Sequence, residues 1–125
     1  MPKTAAATAL RKISKMCAGL PEAKREIMNS HAAFTVRGKK FAYLLDNHHS
    51  DGILALCFRG AAGEQQMWID LDAKRFYKPA YIGAQGWVGL RLDIGATNWS
   101  EVEARIVSSY RLAAPKALAA TVGAA

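Results

Sequence analysis

Leu10, Ile13, Cys17 and Leu20 fall at helical spacing, with Arg11, Lys12, Ser14 and Lys15 on the opposite side. That spacing predicts a helix over about Thr4–Ala18, stopped by Gly19 and Leu20-Pro21. A second short helical turn is expected from Glu22 to Met28. The period then changes to two. Phe34-Thr35-Val36 and Phe41-Ala42-Tyr43-Leu44-Leu45 are rich in aromatic and β-branched residues and read as two strands around Arg37-Gly38-Lys39-Lys40. A II′ turn at Gly38-Lys39 would set Arg37 opposite Lys40, Val36 opposite Phe41 and Phe34 opposite Tyr43. Asp46 to Gly52 is a polar loop, and Ile53 to Phe58 is apolar enough to be a strand in the middle of a sheet.

Gly60 to Gly63 breaks that strand, and Glu64 to Ile69 suits a short helix. Pro79 confines Phe76 to Gly83 to an edge strand or turn. Trp87 to Leu92 alternates cleanly: Val88, Leu90 and Leu92 face a core, while Trp87, Gly89 and Arg91 face outward. Asn98 with Glu101 forms a capping box for a last long helix, whose inner stripe is Val102, Ile106, Val107 and Tyr110. Pro115 opens a terminal helix through Ala120, and the ends (about 1–5 and 120–125) are expected to be loose. Helices at the ends and strands between them give an α+β, two-layer domain with a central antiparallel sheet backed by helices.

Composition sharpens this picture. The 125 residues suit one domain, and 51% apolar with 22% charged is ordinary for a soluble protein. The formal charge of +7 favours polyanionic partners such as nucleic acid or an acidic surface. Cys17 and Cys57 share no CxxC spacing and read as buried thiols in a reducing cytoplasm. No signal peptide is expected, and no apolar run approaches the ~18 residues of a membrane span.

Candidate chemistry is sparse. Asp46, His48, His49 and Asp51 could ligate a divalent metal, but adjacent histidines in a loop point apart, so a solvated role is the stronger reading. Cys57 lies in an apolar strand, where a thiolate is disfavoured. There is no G-x-S-x-G elbow, P-loop or G-x-G-x-x-G, and the carboxylates are scattered. An enzyme, a cofactor and a bound metal are therefore not expected. The cations are better organised. Arg37, Lys39 and Lys40 occupy the hairpin tip and Arg59 ends the third strand, while Lys74, Arg75 and Lys78 interleave with Phe76, Tyr77 and Tyr81. Interleaved cations and aromatics suit phosphate neutralisation with base stacking, and they equally suit a solvated face over a core. Tyr77, Tyr81 and Trp87 could instead form a surface for a protein partner.

Four blocks in order carry a resemblance: Leu20-Pro21, Phe34 to Ala42, Gly86 to Asp93, and Ser109 to Lys116. With these the chain resembles the MmcQ/YjbR-like family over roughly residues 10 to 118. The resemblance implies a fold similar to secretion chaperones and frataxin. It also implies DNA binding through a double-wing arrangement of hairpins, carried here chiefly by the hairpin residues Arg37, Lys39 and Lys40 and secondarily by Arg91. Met28-Asn29-Ser30-His31 departs from the family's usual segment before the hairpin.

Overall fold

The computed structural model describes residues 2–28, 31–47 and 52–122. Helix α1 (Pro2–Ala18) buries Ala9, Ile13 and Cys17, one residue per turn, and ends in a tight closure in which Leu20 N–H donates to Cys17 O at 2.9 Å. Six strands follow: β1 (Ala23–Met28), β2 (His31–Val36), β3 (Lys39–Asp46), β4 (Leu54–Arg59), β5 (Phe76–Tyr77) and β6 (Trp87–Arg91). Between β4 and β5 lies α2 (Glu64–Leu71); after β6 come α3 (Trp99–Ala113) and a single turn, α4 (Lys116–Ala119). The strands form one antiparallel sheet in the order β1-β2-β3-β4-β6-β5. This is the expected α+β architecture, with β4 inside the sheet.

One face of the sheet packs against α1 and α3. Phe34, Val36, Phe41, Leu44, Leu56, Phe58, Val88 and Leu90 meet Ile13, Val102, Ile106 and Tyr110 there, and together they form the core. Asn98 caps α3 as expected, its side chain accepting from Glu101 N at 3.2 Å.

Two local expectations are overturned. Residues 23–28 form β1 rather than a helical turn, pairing with β2 from Ala23↔Val36 to Met28↔His31. Lys24, Arg25 and Glu26 prefer helix intrinsically, but without β1 the buried strand β2 would have an open edge. The hairpin turn is also displaced by one residue. Arg37 (φ 50°) and Gly38 (φ 81°) are its two central positions, so Val36 faces Lys39 and Thr35 faces Lys40. Two positive φ values make the type I′ turn, whose twist matches the strands it joins. A bulge follows: Phe34 pairs with Ala42, which leaves Phe41 free to turn inward, edge-on to Tyr110 at 5.4 Å.

Candidate nucleic-acid interface

Strand order decides which cations meet. At one end of the sheet β1 begins, β2 turns into β3, β4 finishes and β6 begins. That end gathers Lys24 from β1, Arg37, Lys39 and Lys40 from the turn, and Arg59 from β4. Lys78, just beyond β5, follows on the same side, roughly 14 Å across three strand spacings from β3. Lys24, Lys39 and Lys40 are exposed and form no ion pair among the described residues. Sequence reasoning missed Lys24, because its strand carries no alternation of apolar residues.

The other candidates go elsewhere or are occupied. Arg91 lies at the far end of the sheet, held by both oxygens of Asp93 at 2.9 and 3.0 Å. Burial pushes the Asp93 carboxyl up, but the Arg91 hydrogen bond and the Leu54 amide outweigh it and leave the group below its ordinary value. Arg75 also lies there and ties Asp72 to Glu101, both at 2.8 Å, joining the start of β5 to α3. Lys74 precedes it and is exposed. Within the basic end, Arg37 is gripped by Glu22 through Nε–Oε1 at 2.9 Å and Nη2–Oε2 at 3.0 Å. The Arg37 hydrogen bond holds the Glu22 carboxyl below its usual range, and Glu22 raises Arg37 in return.

Helix α3 shapes this end. The β3–β4 ladder begins at Ala42↔Phe58, and the next rung, Phe41 with Arg59, is filled by a side chain. Ser109, fully buried, donates its hydroxyl proton to Phe41 O and accepts from Arg59 N at 2.7 Å. The adjacent Tyr110 donates its hydroxyl to Pro21 O at 2.7 Å and so anchors the loop that carries Glu22. Consecutive residues of one helix thus position the hairpin base, Arg59 and the carboxylate that restrains Arg37.

The face of the sheet away from α1 and α3 carries a chain of rings. His31 lies 6.1 Å from Tyr43, Tyr43 lies 5.1 Å from Trp87, and the Arg59 guanidinium sits 5.8 Å over Trp87. Burial raises the Tyr43 hydroxyl pKa. Trp87 is only 6% exposed, so the expected outward indole is packed between its neighbours and offers no apolar patch. Tyr77 lies across Gly89, where any Cβ would come within 2.4 Å of the ring. Tyr81, by contrast, is 85% exposed.

His48, His49 and Asp51 lie outside the described residues. Among the described residues, no cluster of three or more His, Cys, Asp or Glu side chains could hold a metal, and no helix is long and apolar enough to cross a membrane. Cys17 and Cys57 are buried and form no disulfide, and burial pushes the Cys17 thiol to about 12.

No curated protein matches the chain. Among solved structures, the chain is similar to the Deinococcus radiodurans protein DR2400, a DUF419 domain, with a TM-score of 0.70 and 16% sequence identity over 87% of this chain and 83% of that one. At that identity the likeness establishes the fold. The sequence model of the YjbR family matches residues 18–112, a span running from the end of α1 through β1–β6 into the last turn of α3, and the chain belongs to the YjbR family.

Proposed function

We propose that the protein is a non-enzymatic nucleic-acid-binding domain that grips the phosphate backbone with the basic end of its sheet. The observation that carries this reading is the convergence of Lys24, Lys39, Lys40 and Arg59 from three strands onto one end. Asp46 and Asp93 lie at the other end. Lys24, Lys39 and Lys40 have no ion pair among the described residues, whereas Arg75 and Arg91 at the other end are held by carboxylates, so a polyanion is drawn to the basic end first. DNA is the polymer that the family resemblance implies, and two buried cysteines without a disulfide accord with a cytoplasmic setting.

Phosphate binding without base readout gives a dissociation constant on the order of 10⁻⁴ to 10⁻⁶ M at physiological salt. Fluorescence anisotropy of a labelled DNA duplex across a salt series tests the reading. Every phosphate that a lysine no longer neutralises takes about 0.9 off the slope of log affinity against log salt, so Lys39→Ala/Lys40→Ala should flatten it by roughly 1.8. No binding at low salt, or a slope unchanged in the double variant, overturns the proposal.

A further inference from the structure

Tyr81 combines features that the phosphate reading leaves unused. The residue is 85% exposed, the largest exposure among the large apolar residues described. Its backbone is at φ 65° and ψ −62°, and Ile82 N–H donates to Ala80 O at 2.7 Å across it. This is a γ-turn of positive φ, a rare and strained conformation for a residue with a side chain. Strain of this kind persists only where the surroundings enforce it, and here they do.

Gly83 N–H donates to Pro79 O at 2.9 Å, and Gly86 N–H donates to Gly83 O at 3.1 Å. Gln65 of α2 donates to both Gly83 O and Trp87 O at 2.7 Å, and so ties the loop to the start of β6. Pro79 is buried, and the Lys78 stem packs so closely on Gly83 that a Cβ there would meet it at 2.5 Å. The loop is therefore a braced support that holds an aromatic ring in solvent on the cationic side of the sheet. A braced backbone fixes where the side chain leaves the surface, so little main-chain freedom is lost when a flat partner settles on the ring.

We propose that Tyr81 is a stacking platform for an unpaired base, and that the preferred ligand is DNA in which a duplex adjoins a single-stranded segment. The inference rests on the phosphate reading above. The lysines of the hairpin hold the backbone, and Tyr81, beside Lys78 and some three strand spacings away, receives the first base that leaves the stack. Stacking is indifferent to base identity and adds affinity without releasing counterions.

The test compares a blunt duplex with the same duplex carrying a short single-stranded tail, by anisotropy across a salt series. Tyr81→Gly removes the ring and supplies the residue best suited to positive φ, so the variant should melt no lower than the parent. It should bind the tailed DNA roughly 5- to 150-fold more weakly with an unchanged salt slope, while the blunt duplex binds as before. Tyr81→Phe should retain tail binding. Equal affinity of parent and Tyr81→Gly for tailed DNA overturns the inference even where blunt-duplex binding through Lys39 and Lys40 stands. A flattened salt slope in Tyr81→Gly overturns it too, since the loop would then be acting through phosphates.

Discussion

Replacing Glu22 by Gln should tighten nucleic-acid binding, although the residue touches no ligand in the proposed mode. Glu22 holds Arg37 by two hydrogen bonds of 2.9 and 3.0 Å, so the parent enters a complex with one guanidinium of its hairpin already occupied. Both partners are at positive φ, 60° and 50°, and Tyr110 anchors Pro21 beside them, so the backbone should keep its place when the carboxylate goes. The pair is exposed on both sides, 57% and 49%, and exposed pairs add little to stability. Glu22→Gln should therefore melt near the parent. Freed, Arg37 neutralises one more phosphate and steepens the salt slope by about 0.9, a further ~3.5-fold fall in affinity between 50 and 200 mM salt. The assay is an anisotropy titration at several salt concentrations for the parent, Glu22→Gln, Arg37→Gln and the double variant. Arg37→Gln leaves the Glu22 carboxylate unpaired beside the phosphates and should lower affinity, whereas the double variant, which lacks both charges, should return close to the parent. A Glu22→Gln slope equal to that of the parent would refute the reasoning, because Arg37 would then have no access to phosphate in either state.

Ser109→Ala removes the partner of two buried backbone groups and should cost about 2 kcal/mol in chemical denaturation; a cost well under 1 kcal/mol would mean that Phe41 and Arg59 pair directly. Gly89→Ala places a methyl group within 2.4 Å of the Tyr77 ring and should destabilise by roughly 1–3 kcal/mol, with Tyr77→Ala in the same chain recovering part of the stability. The thiol of Cys17, raised by burial from 9.0 to about 12, should resist alkylation at pH 8 until the chain unfolds. As the pH rises above 9 the unfolded chain loses that proton while the folded chain keeps it until about 12, so this group lowers stability progressively across that window, which urea titrations at rising pH would read.

The hairpin, the central position of β4, the alternation of β6 and the Asn98 cap were legible because each is written in local period or local chemistry. β1 was not, since five of its six residues are exposed and its strand form comes from pairing with β2. The turn was misplaced by one residue because Arg37 occupies a positive-φ position that a residue rule reserves for Gly or Asn, with the Glu22 clamp present to hold its side chain. Sorting the cations required the strand order. Arg59 and Arg91 look equivalent in the sequence, but antiparallel pairing sends them to opposite ends. Ser109 reads as a small residue on a helix, and nothing nearby in sequence hints that it completes a rung between residues 50 and 68 positions away.

The Ser109 rung has a consequence for the order in which the chain takes shape. A nascent chain presents β3 and β4 before α3 exists, and at that stage the Phe41 carbonyl and the Arg59 amide are the natural next pair of their ladder. In the finished fold a hydroxyl of α3 is lodged between the two strands instead. The spacing of Lys40 from Arg59 is thus set by a helix that follows both strands in the chain, and the surface assigned to phosphate is complete only once α3 has docked.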